Sequence, residues 1–310
     1  MKKYMKNGLL ALFIGLVFLS GCESKKDTIH IATKPMSEQF ILGEMLALLI
    51  EENSDLHVKI TKGVGGGTSN IHPAMIKGDF DLYPEYTGTG WLVILKKDTL
   101  LPPDQLFSEL QKEYSREYGL KWVAPYGFNN AYSLAVSNEM AKKYNLKTFS
   151  DLALYPDLFT FGAEYDFYEI NDGYADLCAY YNLKFKKNLD MDIGLKYEAM
   201  RSGKIDVINI FTTDGQLSHA NLTILKDDKH FFPSYYCATI VREETLKEHP
   251  ELERILEKMN GILTDQEMAD MNYKVDVEHR TEREVAVEFL KKKGLLNPQL
   301  SYGKYCCYSF

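Results

Sequence analysis

From Thr28 onward, short runs of β-branched and aliphatic residues alternate with longer segments whose apolar positions recur every three or four residues. That is the pattern of a sheet covered by helices. Ile29-His30-Ile31-Ala32 predicts a first strand, and Phe40, Ile41, Met45 and Leu48 predict a helix from Ser37 to Glu52. Leu56 to Thr61 predicts a second strand. The glycine-rich stretch Gly63-Val64-Gly65-Gly66-Gly67-Thr68-Ser69-Asn70 then predicts a tight turn into a short helix. A strand from Phe80 to Tyr83 is expected to end in the turn Pro84-Glu85-Tyr86-Thr87-Gly88-Thr89-Gly90, followed by a helix from Asp104 to Tyr118. A second series runs from Tyr132 to about His230. Closing helices are expected around Glu244 to Leu256, Asp265 to Val275 and Glu282 to Lys293.

One internal repeat organises these elements. Residues 74–90 align without a gap on residues 199–215, an offset of 125 with six identities. Each copy reads as helix, glycine turn, strand, then a polar turn headed by an aromatic. Two such copies predict two lobes of one design. Tyr86 and Phe211 then occupy equivalent positions at the carboxyl ends of equivalent strands, the edge where open α/β sheets bind ligands. Two such edges facing one another make a cleft with an aromatic on each wall, and a ligand touching both walls favours the closed form. Asp81 and Glu85 could be imagined as a carboxylate pair, but Asp81 recurs as Asp206, which assigns it to the turn.

The chain begins with Lys2, Lys3 and Lys6, an apolar run from Gly8 to Leu19, and Leu19-Ser20-Gly21-Cys22. This reads as a bacterial lipoprotein signal over residues 1–21, cut before Cys22, which would carry the lipid. The charged stretch 22–27 would be the tether, leaving the protein outside the cytoplasm on the outer face of the membrane. Removing the signal deletes three lysines and no acids, taking the formal charge from −8 to −11 and disfavouring a nucleic-acid partner. Cys178, Cys237, Cys306 and Cys307 show no metal-ligand spacing, and spacing alone chooses no disulfide among them. Cys178, in an apolar helical stretch, is expected as a buried thiol. The tail 301–310 carries no readable signal.

Twenty-one tyrosines and sixteen phenylalanines are many, and several stand beside turn residues: Tyr86, Tyr132 after Asn129-Asn130, the group Tyr165, Phe167 and Tyr168, and Tyr235-Tyr236 after Pro233. Ring faces attract a quaternary ammonium, which has no N–H to donate, at roughly 0.5–2 kcal/mol for each desolvated contact. Enzymatic readings lack their motifs. The glycine stretch has no Gly-Lys-Ser/Thr ending, and neither a Gly-x-Ser-x-Gly elbow nor a His-Glu-x-x-His is present. No cofactor and no metal are expected, and a secreted enzyme on the same scaffold is the competing class.

The chain resembles the substrate-binding proteins of osmoprotectant ABC importers, which take glycine betaine, carnitine, choline and related compounds. The resemblance runs from Ile29 to about Leu296. Its carriers are residues 37–44, 81–89, 128–135, 213–215, 226–229 and 231–235. It implies a two-lobed α/β venus flytrap of the type II periplasmic-binding-protein kind, with two chain crossings. Lobe I would hold residues 28–128 and 231–300, and lobe II residues 129–230. It also implies a membrane permease as partner and a cage on Tyr86, Tyr132, Phe211 and Tyr235, with Gln39 and Thr89 as polar contacts. Phe211 departs from the family's tyrosine and lacks its hydroxyl. Residues 65–73 and Gly90-Trp91 resemble a subgroup that binds ergothioneine, the betaine of thiolated histidine. Tyr165, Phe167 and Tyr168 would then accommodate its longer, ring-bearing body, and Tyr165, Phe167 and Asn130 are further candidate ligand contacts.

Overall fold

A computed structural model describes residues 27–297 apart from 98, 100, 170–172 and 192. The signal 1–21, Cys22, most of the tether, Cys306, Cys307 and the tail 301–310 lie outside the described residues.

The β-branched runs form two five-stranded sheets. The first holds β1 (Thr28–Ala32), β2 (His57–Thr61), β3 (Leu82–Tyr86), β4 (Leu120–Val123) and β10 (Cys237–Arg242), in the order β2-β1-β3-β10-β4. The second holds β5 (Tyr132–Ser137), β6 (Thr160–Ala163), β7 (Lys187–Asp190), β8 (Val207–Phe211) and β9 (Leu222–Leu225), in the order β7-β6-β8-β5-β9. In each sheet the first three strands are parallel, and the fourth runs antiparallel to both of its neighbours. The chain leaves the first sheet after β4 and returns to it at β10. Two crossings result, and the crossing segments touch through a bridge between Asn129 and Tyr236.

The repeat is real down to its hydrogen bonds. In lobe I the helix α2 (Thr68–Lys77) ends at Gly78, left-handed at φ 82°. Its counterpart, the helix Ile193–Arg201, runs out at Gly203, φ 68°. Gly78 and Gly203 donate to Met75 and Met200 carbonyls, and the next residues, Asp79 and Lys204, donate to Ala74 and Ala199. Asp81 then accepts the His30 amide at 2.8 Å, as Asp206 accepts the Thr160 amide at 2.8 Å. Each aspartate thus fastens its turn to the neighbouring parallel strand, the structural role expected of it.

Two expectations shift. The strand expected to stop at Tyr83 continues through Pro84 and Glu85 to Tyr86, so β3 and β8 both span five residues that end on the repeat-related aromatic. Proline is tolerated there because bonds to β10 fall on alternate residues, Asp81 and Thr87 bonding to Arg242 and Tyr236, so Pro84 turns its nitrogen toward β1, which is in register with β3 only at Leu82. The helix expected from Glu244 to Leu256 breaks into Glu243–Glu248 and Glu251–Leu256 around His249-Pro250, where proline has no amide to continue the ladder.

Lobe I is built on α1 (Ser37–Asn53), which is buried without interruption from Ile41 to Ile50. It lies between the sheet and the helices Glu251–Leu256, Asp265–Asp276 and Glu282–Lys292. The other face of that sheet is closed by Trp91, Leu106, Leu110, Tyr114 and Trp122. In lobe II, the helix Tyr174–Tyr181 carries Cys178 half-buried and unbridged, its thiol pushed up by burial to about 11.

Candidate functional site

The turn from β1 into α1 and the end of β3 make the lobe I wall. Tyr86, the last residue of β3, is almost wholly buried and donates its hydroxyl to Glu38 at 2.5 Å. Burial holds that hydroxyl well above its ordinary range, and the Glu38 charge adds to the effect, so it remains a donor. Lys34, also buried, places its ammonium 4.7 Å from the centre of the Tyr86 ring and pairs with Glu85. Glu85 further accepts the Thr68 hydroxyl at 2.6 Å and the Tyr86 amide at 2.7 Å. It therefore belongs to Lys34 and the start of α2, and not to a pair with Asp81. The glycine stretch makes the tight turn that delivers Thr68, with Gly63, Gly66 and Gly67 all at positive φ.

Gln39 is fully buried beside Tyr86, accepts the Lys34 amide at 3.5 Å, and has a side-chain amide nitrogen without a protein partner among the described residues. A buried donor left open costs about 1–3 kcal/mol, which a ligand acceptor would recover. Thr89 is half-exposed on the short turn of helix after β3. Tyr235, from the returning crossing segment, lies against the backbone of Gly88, where an added Cβ would sit 2.6 Å from its ring. It packs on the same core cluster as Tyr86.

The lobe II wall is aromatic. Tyr132, the first residue of β5, is paired in register with Phe211, the last of β8, and their ring centres are 4.4 Å apart. Phe167 lies behind Tyr132 at 5.2 Å, buried in the lobe II core, so it supports the wall from beneath. Tyr165, by contrast, is 62 % exposed and makes no ring contact among those described. The structure therefore gathers the expected residues into two groups: Tyr86, Gln39 and Tyr235 on lobe I, and Tyr132 with Phe211 on lobe II. A cavity of about 590 Å³ opens between the lobes with Tyr132, Ile224 and Phe232 on one side, Trp91 and Leu106 on the other, and Tyr236 from a crossing segment. Of the expected ligand residues, only Tyr132 lines it.

Sequence reading missed three residues. Lys34 sits at the end of β1 with no motif to mark it. Glu38 falls within the stretch 37–44 with no feature to single it out, yet it gathers the hydrogen bonds of this wall. Besides the Tyr86 hydroxyl, it accepts Asn130 Nδ2 at 2.9 Å and Asn272 Nδ2 at 3.3 Å. Burial raises its carboxyl above the ordinary value, against the hydrogen bonds from Tyr86, Thr213, Asn130 and Asn272 that lower it. Asn272, on the helix Asp265–Asp276, has no local pattern to mark it. No cluster of three or more His, Cys, Asp or Glu side chains suited to a metal occurs among the described residues.

Comparison with known proteins places this geometry. The chain is 46% identical over 287 residues to the ergothioneine transport permease/ergothioneine binding protein EgtU of Helicobacter pylori (strain G27), covering 93% of this chain and 51% of that protein, so it spans about half of that relative's length. It is 36% identical over 303 residues to the carnitine transport binding protein OpuCC of Listeria monocytogenes, covering 94% of this chain and 98% of that one. A crystal structure described as a glycine betaine/carnitine/choline ABC transporter superposes with a TM-score of 0.83 at 32% identity, over 87% of this chain and 100% of that one. Residues 27–292 match the family model OpuAC, the substrate-binding domain of ABC-type glycine betaine transport systems, and the chain belongs to that family.

Proposed function

We propose that this chain captures a betaine-type zwitterion between its lobes and hands it, without chemical change, to the membrane permease of an ABC importer. The observation that carries the reading is the division of the cleft. Tyr132 and Phe211 offer ring faces from lobe II, while the Gln39 amide, open among the described residues, offers a donor from lobe I, where Lys34 is held by Glu85. A trimethylammonium fits the first and a carboxylate the second. Tyr86 and Tyr235 complete the cage, and Thr89 adds a polar contact at its rim. Lobe I comprises residues 28–128 and 231–300 and lobe II residues 129–230, with both boundaries in the crossing segments. Lipidated Cys22 would hold the receptor at the outer face of the membrane beside its permease.

A second reading concerns which betaine. Ergothioneine is favoured by the 46% identical relative and by Phe211, whose missing hydroxyl makes that wall more apolar. The cavity beside Tyr132 adds room for a body longer than glycine betaine. A thermal-shift panel of ergothioneine, glycine betaine, carnitine, choline and proline betaine tests both readings. A ligand at 100 times its dissociation constant stabilises by about 2.7 kcal/mol. The expected result is a clear shift with at least one betaine, largest with ergothioneine. No shift with any of the five would overturn the ligand class, and a shift with carnitine but none with ergothioneine would overturn the second reading.

A further inference from the structure

The two repeat-related aromatics are joined by more than symmetry. Tyr86 gives its hydroxyl to Glu38 at 2.5 Å. The other Glu38 oxygen takes one bond from Asn272 Nδ2 at 3.3 Å, and the same nitrogen gives its second bond to the Thr213 carbonyl at 2.8 Å. Thr213 stands two residues after Phe211. Tyr86, Glu38 and Asn272 belong to lobe I, whereas Thr213 and Phe211 belong to lobe II. Asn272 and Thr213 are both buried, so the contact is sealed from water.

The surroundings are built for this approach. A Cβ added at Gly215 would lie 2.7 Å from the Tyr273 nitrogen and 3.0 Å from the Asn272 carbonyl carbon, both backbone atoms that cannot swing aside. The segment is also fixed within its own lobe. Asp214 accepts the Tyr197 hydroxyl at 2.6 Å, and the Thr212 hydroxyl accepts the Ala131 amide at 3.1 Å. The asparagine amide suits its place because it has two N–H donors, one for a carboxylate and one for a carbonyl. Its oxygen has no partner among the described residues, so the donors alone hold the side chain.

We infer that Asn272 is a positioning residue that ties the Phe211-bearing segment of lobe II to the carboxylate holding Tyr86, so that cage geometry and lobe closure are set together. This rests on the reading that ligand is held between the lobes. Asn272 touches no ligand in this account and acts through Glu38 and Thr213. Its loss would shorten the life of the closed form, free or liganded, while altering the rate of encounter with ligand far less.

The test compares Asn272→Leu, Gly215→Ala and Tyr86→Phe, with ergothioneine and carnitine as probes in stopped-flow fluorescence. The expected result for Asn272→Leu and for Gly215→Ala is a dissociation rate raised about tenfold, with the association rate altered less than about twofold. Combining Asn272→Leu with Tyr86→Phe should cost less than the sum of the two changes, because both act through one carboxylate. Unchanged dissociation rates, or strictly additive losses, would overturn the inference. Should Asn272→Leu fail to fold, Gly215→Ala carries the kinetic arm. A probe-free arm separates this inference from the ligand assignment: in unliganded protein, amide exchange across residues 211–216 should be faster in either variant that folds. If neither probe binds the wild type, the ligand assignment fails while this arm still decides the tie, and unchanged exchange would overturn it.

Discussion

Glu85 lies wholly out of solvent, and the one cation it pairs with among the described residues is Lys34, whose side chain is 9% exposed. Removing one member of such a pair leaves an uncompensated buried charge, at a cost of about 3–5 kcal/mol. Lys34→Met is therefore expected to lower stability by that amount in urea denaturation, and Lys34→Met with Glu85→Gln to recover most of it. A loss under about 1 kcal/mol for the single change would show that water reaches Glu85. The aromatics proposed for the cage draw notice in the sequence because each stands beside turn residues. Lys34, Glu38 and Asn272 do not, because their contacts close only on folding: Lys34 meets Glu85 across 51 positions, and Asn272 meets Glu38 across 234. Neither span leaves a local pattern to read. Tyr165, an aromatic beside turn residues, faces solvent in this structure.

At the level of elements, the repeat was the strongest signal, and its force came from chemistry that side-chain identity preserves. A glycine must supply the left-handed residue at the end of each helix, and an aspartate must accept a backbone amide of the neighbouring strand. The two aspartates are not equal, however. Asp81 also accepts the Thr245 hydroxyl at 2.8 Å and lies 3.6 Å from Arg242, whereas Asp206 is described with the Thr160 amide alone. Asp206→Ala should cost about 1–3 kcal/mol in chemical denaturation through the orphaned Thr160 amide, and Asp81→Ala should cost more. Equal losses would mean that Thr245 and Arg242 add nothing. The element boundaries were less legible. Proline in β3 is harmless only because of where the neighbouring strand stops pairing, and α1 is buried nearly all round because three helices and a sheet enclose it.

For the whole molecule, the two sheets with matching strand orders explain why a single motif, read twice, located both walls of the cleft. Strand β5 and strand β10 are counterparts, so Tyr132 in one lobe corresponds to Cys237 in the other: each pairs with the final aromatic of its neighbouring strand. The symmetry ends there in chemical terms. Lobe II presents stacked rings, whereas the matching part of lobe I holds a lysine paired with Glu85, an amide open among the described residues and a tyrosine whose hydroxyl is committed to Glu38. On the proposed reading a zwitterion would place one end against each. Where the crossings run was not readable from local patterning, since the long-range pairing of Asn129 with Tyr236 fixes them.

The most direct test of this account is isothermal titration of the wild type, Tyr86→Ala, Tyr132→Ala and Tyr235→Ala with the betaine that gives the largest thermal shift. Each loss of a ring is predicted to weaken binding by about 1–3 kcal/mol while the unliganded protein stays folded. Unchanged affinity in all three variants would contradict the cage.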